Sequence, residues 1–522
     1  MMVGISRRHF NILAAATALS TWAAPLTAFA EASGTVTEYA SEPAVLTPID
    51  RNGPETISAK IIEGLLDHDA DLNAIPALAT SWEQSEDALR HTFHLREGVK
   101  WHDGKDFTSA DVAYSVLTLK QTHPRRKATF ANLVDVETPD PLTAVLVFSS
   151  PAPYLYGALG TGTPIFPKHL YEGVELATNP VQSAPIGTGP FVFKEWARGS
   201  HVLLERNPNY WAEGAPHVER IVLRFIPDIG ARVAALETGE LDIGGPGVPL
   251  ADIKRLKTVS NLVVVDDVKN FGGAHIQFFF NLDIPVLQDI RVRQAIAHSL
   301  DIPQIITTVF QGYAKAAPSV IGPNLPAFHD DTIKPYAYDV ALANALLDEA
   351  GHPRGADGIR FSLRILHNAF SEQPGKVAEF LRSALEPIGI RGEVVNYDYA
   401  TYVTKVYTER EFDIEVEQLA NGYDPTDGVQ RGYWSKAFKP GVPWSNAAHY
   451  SNARVDDIFE SASAEADPDK RKALYLELQK IVYEELPSVG IAAPESFAVY
   501  NARLDGVLDN QSSSRASVVA KS

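Results

Sequence analysis

Apolar and polar residues along the chain repeat with two different periods. Polar Thr92 and His94 alternate with apolar Phe93 and Leu95, which predicts a strand. Other stretches repeat at helical spacing behind an Asp that can cap the helix. The same reasoning predicts strands at 36–39, Leu262–Val265, 276–281, 361–366, 392–397 and 412–419, and helices after Asp111, after Asp289, after Asp339 and over 377–385. Such alternation predicts an α/β protein built in layers.

A short segment with two glycines, Asn270-Phe271-Gly272-Gly273, lies between two of these predicted strands. Glycine adopts positive and negative φ with similar ease, so a glycine pair can absorb the dihedral changes of a hinge. A simple β-turn between the two strands explains the segment equally well. The local sequence leaves both interpretations open.

The composition is that of a globular protein with more than one domain. The chain has 522 residues, of which 45% are hydrophobic and 21% charged, and this length suggests two or more units. It carries 65 acidic against 46 basic side chains, a formal charge of −19, whereas nucleic-acid binding calls for a basic patch. We therefore expect no nucleic-acid partner, and the high net charge favours a monomer. The absence of cysteine excludes disulfides, thiolate metal sites and Cys nucleophiles.

Residues 1–30 have the layout of an export signal. A basic start at Arg7-Arg8 precedes an apolar stretch over 12–26 and a small-residue cleavage site at Ala28-Phe29-Ala30. The start Ser6-Arg7-Arg8-His9-Phe10 resembles a twin-arginine signal, which implies the twin-arginine export machinery as a partner, and an ordinary basic start is the alternative. Both predict a soluble periplasmic protein. Because no cysteine follows the apolar stretch, we expect it not to be a lipoprotein.

Six separated motifs give the chain a family resemblance. In this order, and over essentially the whole mature chain, they resemble the family 5 extracellular solute-binding proteins, which serve ATP-driven importers of peptides and related solutes. The tryptophans and turn residues within them are typical of a structural core rather than of ligand contacts. The motifs are 78–83 with Trp101-His102-Asp103-Gly104, Pro185-Ile186-Gly187-Thr188-Gly189-Pro190-Phe191, Asn207-Pro208-Asn209-Tyr210-Trp211, Leu236-Glu237-Thr238-Gly239-Glu240-Leu241-Asp242, the run from Asp289 to Ala295, and Asp424-Pro425.

The resemblance implies an α/β fold of the two-lobed type II periplasmic binding protein kind, with an extra subdomain in lobe I. Lobe I is expected at 31–268 plus 488–522, with the subdomain at 50–185, and lobe II at 269–487. The glycine pair then falls at a crossing between the lobes, which favours the hinge interpretation. The resemblance further implies that the lobes close around a small solute and deliver it to an inner-membrane ABC permease.

The segment from Glu417 to Pro425 corresponds to the place where a strand of lobe II reaches the cleft in this family. In peptide-binding relatives, an Asp three positions before the acidic-Pro pair takes the ammonium group of the ligand, and this chain has Asn421 there. An amide offers neutral donors and acceptors instead of a charge. A short peptide is the first expectation, and Asn421 makes a sugar-bearing or opine-like solute the alternative. If the alignment is shifted, Asp424 would bind the ammonium.

Aromatic residues near the cleft can stack on sugar faces or on peptide side chains. Arg293 is expected to brace lobe II, whereas Arg382 and Arg391 are candidates for meeting an anionic end of the ligand. Together, the candidate ligand-binding residues are Asn421, Gly422, Tyr423, Asp424, Tyr39, Phe271, Trp434 and Trp444.

The sequence lacks the catalytic and metal motifs that we sought, so we predict a binding protein without cofactor or metal rather than an enzyme. The acidic run Asp67-His68-Asp69-Ala70-Asp71 imitates a calcium loop, but Leu72 stands where the loop needs Gly and Leu78 where it needs Glu. His91 and His94 lie three apart on a predicted strand and so point to opposite faces. A nickel complex as solute and a chaperone-like role on unfolded peptides remain as alternatives.

Overall fold

The structure, a computed structural model, describes residues 34–50, 55–69, 71–245, 248–269, 273–369, 371–509 and 514–520. The predicted export signal at 1–30, with its twin-arginine motif, lies outside the described residues, as do Phe271 and Gly272. Within the described ranges, every helix is too short or too polar to span a membrane.

A mixed sheet contains the first predicted strand. Beside it lies a two-stranded sheet, and Ile243 bridges the two by pairing with Glu38 of one and Tyr500 of the other. Segments from the beginning, middle and end of the chain therefore share one layer. The strands in order are Thr35–Tyr39, Arg220–Arg224, His201–Arg206 and Phe191–Ala197 in the larger sheet, and Leu262–Val265 with Ala498–Asn501 in the smaller.

A four-stranded antiparallel sheet and a long helix fall within the segment predicted as the extra subdomain. His91 is buried on its strand whereas His94 is exposed, which confirms that the two face opposite ways. The helix begins behind Thr108, which forms a capping box with Asp111. This layer shares one hydrophobic core with the first sheet. The strands in order are Ala79–Gln84, Arg90–Leu95, Thr143–Phe148 and Leu133–Asp140, preceded by a hairpin of Leu66–His68 and Ala74–Pro76, and the helix is Ser109–Thr122.

A six-stranded mixed sheet forms the other main layer and confirms the strands predicted for it, with ends shifted by a few residues. The helices predicted after Asp289 and Asp339 are present, and each Asp accepts a backbone N–H at the helix start. Arg293 donates to the backbone carbonyls of Leu486 (2.9 Å) and Leu287 (2.7 Å) and so braces this layer as predicted. The strands in order are Ala314–Ala316, Ser488–Pro494, Ala274–Phe280, Ile414–Ala420, Phe361–His367 and Ile390–Val395, and the helices Ile290–His298, Val340–Glu349 and Glu372–Leu385 contribute to the same core.

The chain crosses twice between the two layers. The strands before and after the glycine segment belong to different sheets, so its interpretation as a simple turn between paired strands is wrong. The two crossings lie side by side, because the N–H of Val268 donates to the carbonyl of Ser496 over 2.9 Å. The lobe boundary predicted at 487 shifts, since Ser488–Pro494 pairs with Ala274–Phe280 in the six-stranded sheet. The division into lobes that close about a hinge stays a prediction.

Two of the family motifs meet at one buried acid, Glu63. Its carboxylate accepts hydrogen bonds from Thr188 (2.8 Å), Tyr210 (2.8 Å) and Trp211 (3.1 Å). Burial raises the pKa of Glu63, while the three donors act in the opposite direction. These motif residues therefore have a structural role, as their composition indicated.

Further helices, most of them short, lie between the strands of the two layers. Many begin at a side-chain cap, as where Asp228 accepts the N–H of Ala231. Two short strands, Leu504–Asp505 and Val519–Ala520, pair late in the chain. The helices not yet named are Glu55–Ser58, Arg126–Thr129, Leu155–Ala158, Lys168–Tyr171, Leu176–Thr178, Pro180–Gln182, Ile229–Thr238, Leu250–Leu256, Pro285–Gln288, Ile302–Thr308, Glu386–Ile388, Tyr399–Thr404, Lys405–Glu409, Pro425–Gly428, Gln430–Tyr433, Ser435–Ala437, Ala453–Ala464 and Pro468–Glu485.

His275 is a buried histidine in the six-stranded sheet whose titration should destabilise the protein in acid. Its Nε2 lies 3.0 Å from the carbonyl oxygen of Ala317, and burial lowers its pKa to about 4, against about 6.5 in an unfolded chain. As the pH falls from about 6.5 to about 4, the unfolded chain takes up a proton that the folded protein does not, so stability is lost across that window. We expect His275 to account for a loss of about 2 kcal/mol between pH 7.5 and pH 5.

The comparison of wild type with His275→Gln measures this contribution. Denaturant unfolding at the two pH values should show that the variant loses about 2 kcal/mol less on acidification. His217→Gln, at an exposed site, should lose as much as the wild type. An equal loss in all three proteins would contradict the assignment.

Candidate functional site

A tight turn at the end of the strand Ile414–Ala420 fixes the candidate segment. Gly422 has φ +68°, and a Cβ there would overlap the carboxylate of Asp427, so only glycine fits without strain. Gly428 packs directly on the backbone of Asn421, again where a Cβ would clash. The glycines thus hold the segment in one conformation, and Gly422 acts through the backbone rather than through a contact of its own.

Tyr423 projects from this turn into the subdomain on the other side of the molecule. Its ring stacks on His68 at 6.3 Å between centroids and has the Arg126 guanidinium 5.7 Å away. A Cβ at Gly157 would lie 3.0 Å from the Tyr423 Cβ, and one at Gly162 would overlap the phenol oxygen. Burial lowers the pKa of His68 to about 4, so the ring against which Tyr423 lies is neutral near pH 7. Tyr423 is therefore the candidate that spans the two layers.

Arg126 is a buried cation beside Tyr423. Arg126 is only 2% exposed, and its Nη1 donates a hydrogen bond to Thr129 Oγ1 over 3.1 Å. In the part of the chain that the structure describes, its Nε has no hydrogen-bond partner and no carboxylate lies within ion-pair distance. Burying a guanidinium without an anion is costly. The arrangement is thus suited to receive a negatively charged group.

Two further arginines flank this position. Arg125 precedes Arg126 and is exposed, while Arg431 lies on the helix Gln430–Tyr433 and donates from Nε to the carbonyl of Gly428 over 3.3 Å. Burial, and next the nearby Arg125, lowers the pKa of Arg431. Positive charge from both sides of the molecule therefore meets near Tyr423.

The sequence analysis missed these arginines and named two others. Arg382 bonds to Glu379 (2.8 Å) and Glu386 on the exposed face of its helix, and Arg391 is half exposed with Asp357 at 4.0 Å. Both lie in surface ion pairs, so their assignment to an anionic ligand end is corrected. The only sequence signal for this group of arginines was the adjacent pair Arg125-Arg126 in an acidic chain.

Asn421 directly follows its strand and lies beside a second amide, Asn324. It is 2% exposed, and its Nδ2 approaches Asn324 Oδ1 at 3.4 Å. The Nδ2 of Asn324 is buried and lacks a partner among the described residues. A buried donor of this kind favours a ligand acceptor. The pair offers amide groups where peptide-binding relatives are expected to have a carboxylate.

Asp424 belongs to the scaffold, which corrects the prediction that it contacts ligand. Its two carboxylate oxygens accept hydrogen bonds from the two terminal nitrogens of Arg471, each at 2.6 Å, and Oδ1 also caps the next helix by accepting the N–H of Thr426 at 2.9 Å. The residue is 5% exposed. Its carboxylate is therefore fully engaged, and the alternative in which it binds an ammonium group loses its basis.

The other aromatic candidates are dispersed. Tyr39 packs in a separate core with the helices Ile229–Thr238 and Leu250–Leu256, and the Arg232 guanidinium lies 3.5 Å above its ring. Trp434 donates from Nε1 to Glu460 at 3.3 Å, on the side of an outer helix. Trp444 stacks on Tyr399 at 6.3 Å, away from Tyr423. The structure brings none of these three to the Tyr423 position, and Phe271 lies outside the described residues.

A pair of buried glutamates lies on the same strand as the candidate segment. The Tyr402 hydroxyl is 3.1 Å from Glu415 and 2.8 Å from Glu417, which also accepts from Tyr407 at 3.2 Å. Burial, and for Glu415 next the charge of Glu417, raises the pKa of both carboxyls. Because the Tyr402 hydroxyl carries one proton, it can donate to only one of the two carboxylates at a time. The oxygens are occupied internally, which leaves this pair unsuited to a ligand ammonium.

Metal binding finds no support in the described residues. No group of three or more histidine, aspartate or glutamate side chains there could hold an ion. His91 and His94 face opposite ways, and Asp69 of the calcium-like run accepts the backbone N–H groups of Asp71 and Asn73.

The site is best described as a polar and cationic contact between two layers, centred on Tyr423.

Three comparisons with known proteins show what the chain is similar to. The model of the bacterial extracellular solute-binding proteins, family 5, matches residues 73–441. A Brucella ovis protein named as an ABC transporter peptide-binding protein is 31% identical over 477 residues, covering 88% of this chain and 87% of that protein. Heme-binding protein A of Haemophilus influenzae is 29% identical over 459 residues, covering 83% and 82%. The solved structure of the binding protein AgaA from A. tumefaciens R10, in complex with agropinic acid, aligns with a TM-score of 0.75 at 26% identity and covers 94% of this chain and 99% of that one.

Proposed function

The chain belongs to the bacterial extracellular solute-binding proteins of family 5, and from this premise we propose that it captures a short peptide or peptide-like solute between two closing lobes. The lobe that carries the six-stranded sheet supplies Tyr423, and the subdomain opposite supplies the surface against which it rests. The captured solute passes to the membrane permease of an ABC importer. Closure needs better ligand contacts in the closed than in the open form.

One observation supports this proposal most directly. Tyr423 leaves a turn of one layer and is enclosed by His68, Arg126 and two glycines of the other. A side chain buried by two separate layers loses these contacts when the layers part. The same place is where a solute held between them would replace water.

An opine-like or sugar-bearing solute is the second candidate. The observation in its favour is the neutral pair Asn421 and Asn324, which offers amide groups instead of the carboxylate that would hold the ammonium of a peptide. The solved structure of AgaA, which is similar to this chain, contains agropinic acid and so supports the same candidate. The first candidate, a short peptide, is supported by the name of the Brucella relative, an ABC transporter peptide-binding protein.

Two measurements test capture itself. Native mass spectrometry of protein prepared gently from the periplasm should reveal a bound small molecule. Small-angle scattering should then give a smaller radius of gyration with that molecule than without it, because two lobes that meet around a solute are more compact. An unchanged radius at saturating ligand would refute the closing mechanism, and tight binding of long unfolded chains would favour a chaperone-like role.

Asn421→Asp separates the two solute classes by the sign of its effect. If Asn421 bonds a neutral group, the new carboxylate is buried without a cation, and affinity should fall roughly 5- to 150-fold. If the solute has an ammonium group there, a charge-assisted bond should raise affinity instead. Isothermal titration with the co-purified solute measures the change. An affinity within about twofold of wild type would place Asn421 outside the ligand contacts.

We further propose that the protein is periplasmic, is not a lipoprotein and acts without catalysis. Its export by the twin-arginine route rests on Ser6-Arg7-Arg8-His9-Phe10. Lysine at both Arg7 and Arg8 should leave precursor in the cytoplasm. Normal periplasmic yield of that variant would refute the twin-arginine assignment and leave general export intact.

A further inference from the structure

We infer that His68 makes closure sensitive to pH: the lobes close over its neutral ring, so a proton taken up by His68 in acid favours the open form and the release of the solute. The inference rests on the proposed capture of a solute between two lobes and adds a means of regulating that capture. Because His68 belongs to the contact between the layers, the effect is expected for either class of solute.

His68 is a titratable side chain buried where the two layers meet. It ends the strand Leu66–His68 of the subdomain and is only 4% exposed. The edge of its ring lies against Gly160, where a Cβ would be 2.9 Å from Cε1 and 3.0 Å from Nδ1. Its ring is also stacked with Tyr423 of the other layer, with 6.3 Å between the centroids and 24° between the planes. Both layers therefore contribute to its burial.

The neighbours of His68 divide between the two layers. Its ring forms a hydrogen bond with the backbone of Tyr156, and the carboxylate of Asp69 acts on its charge. The phenol of Tyr156 is turned to His91, at 3.0 Å from Nδ1. These groups belong to the subdomain and stay beside His68 when the lobes part. Tyr423 belongs to the other layer and withdraws on opening, which lets water reach the imidazole.

The charges around His68 do not favour a proton on its ring in the closed form. Burial lowers the pKa of His68 to about 4 and outweighs the attraction of Asp69, which acts in the opposite direction. Asp67, the other acid of this segment, accepts the backbone N–H of His68 at 2.8 Å. From other elements, the groups that face the ring are the phenol of Tyr423 and, against that same phenol, the cationic guanidinium of Arg126.

Proton linkage gives the direction and size of the effect. In the open form water surrounds the ring, and its pKa should approach about 6.5, whereas it is about 4 in the closed form. Between these values the open form binds a proton that the closed form lacks, so closure becomes less favourable as the pH falls. At pH 7.5 the ring is neutral in both forms. At pH 5 the apparent affinity should be roughly 10- to 30-fold weaker, for an open-form pKa of about 6 to 6.5.

The test measures the dissociation constant of the co-purified solute at pH 7.5 and at pH 5 by isothermal titration. On acidification it should rise roughly 10- to 30-fold more in wild type than in His68→Gln. Glutamine keeps an N–H for the backbone of Tyr156 but takes up no proton. His275→Gln removes a histidine that is also buried, in the six-stranded sheet, and should behave as the wild type. Ionisation of the solute itself would affect all three proteins equally.

A second variant keeps the histidine and removes its cover. In Tyr423→Ala the ring of His68 meets water in both forms, so the pH dependence should match that of His68→Gln, while Tyr423→Phe should retain the wild-type dependence. Because the chain has no cysteine, E86C with E349C gives one pair of spin labels at exposed sites on the two layers. Acid should lengthen their distance in the solute-bound wild type and not in His68→Gln. Circular dichroism at both pH values verifies that each variant is folded.

The outcomes separate this inference from the proposed function. If the solute binds and shortens the label distance equally at both pH values in wild type, capture stands and the proton linkage is refuted. A pH dependence in His68→Gln or Tyr423→Ala that equals the wild type would also refute the inference, because another group would be responsible. If no solute is recovered and the labels show one distance under every condition, capture and proton linkage both fail.

Discussion

Replacing Asp424 by asparagine should lower the free energy of unfolding by about 3–5 kcal/mol, because it leaves Arg471 as an uncompensated buried charge. The carboxylate is 5% exposed and binds the guanidinium through both oxygens at 2.6 Å. Asparagine keeps an acceptor for the N–H of Thr426, so the helix cap survives and the loss reports the ion pair. Chemical denaturation followed by circular dichroism measures it.

A matched control and a mutant cycle sharpen this prediction. Asp289 is also an N-cap aspartate bonded to an arginine, but its partner Arg291 is exposed, so Asp289→Asn should cost only about 0–1 kcal/mol. Arg471→Met combined with Asp424→Asn should be less destabilising than Asp424→Asn alone, since no buried charge is left. Equal, small losses in both aspartate variants would refute the scaffold role and reopen Asp424 as a ligand contact.

The sequence predicted four strands of the six-stranded sheet, and the helices behind Asp289 and Asp339, because local patterns decide these elements. The helix behind Asp289 follows from one cap and a helical repeat of apolar residues, and the structure has it at Ile290–His298. The register of a strand, and the sheet that it joins, are harder to predict from the sequence. Ser488–Pro494 was not predicted as a strand, and only its pairing with Ala274–Phe280 places it in this sheet. Such pairing depends on residues far away in the sequence, which no local pattern contains.

The residues of the candidate site were harder to predict from the sequence than the strands were. Tyr423 was singled out because a family motif lies beside it, and the structure gives it contacts from both layers. Arg126 carries no motif, and an arginine after a helix reads as an ordinary surface residue. Its burial follows from the packing of Thr129, Tyr423 and the glycines near residue 160, which are distant from one another in the chain. Charge without a partner is visible only once the neighbours are known.

Gly157→Val should weaken solute binding on the order of 100-fold while hardly changing the stability of the solute-free protein. A Cβ at residue 157 would already lie 3.0 Å from the Tyr423 Cβ, and valine adds two methyl groups towards it. If the lobes open as proposed, Tyr423 withdraws from residue 157. Valine is at least as compatible as glycine with the helix Leu155–Ala158. The valine therefore destabilises the closed form and leaves the open form unchanged. Calorimetric titration gives the affinity and thermal unfolding the stability.

A graded series decides whether closure is the cause. Gly157→Ala adds only the Cβ and should weaken binding much less than valine. In a Tyr423→Ala background the space opposite residue 157 is empty, so Gly157→Val should then bring no further loss, and the two substitutions should be strongly non-additive. Affinity equal to wild type in Gly157→Val would show that Tyr423 does not meet the subdomain in the solute-bound state. Additive losses would mean that the valine acts through the fold of the subdomain instead, and the contact between Gly157 and Tyr423 would lose its place in the mechanism.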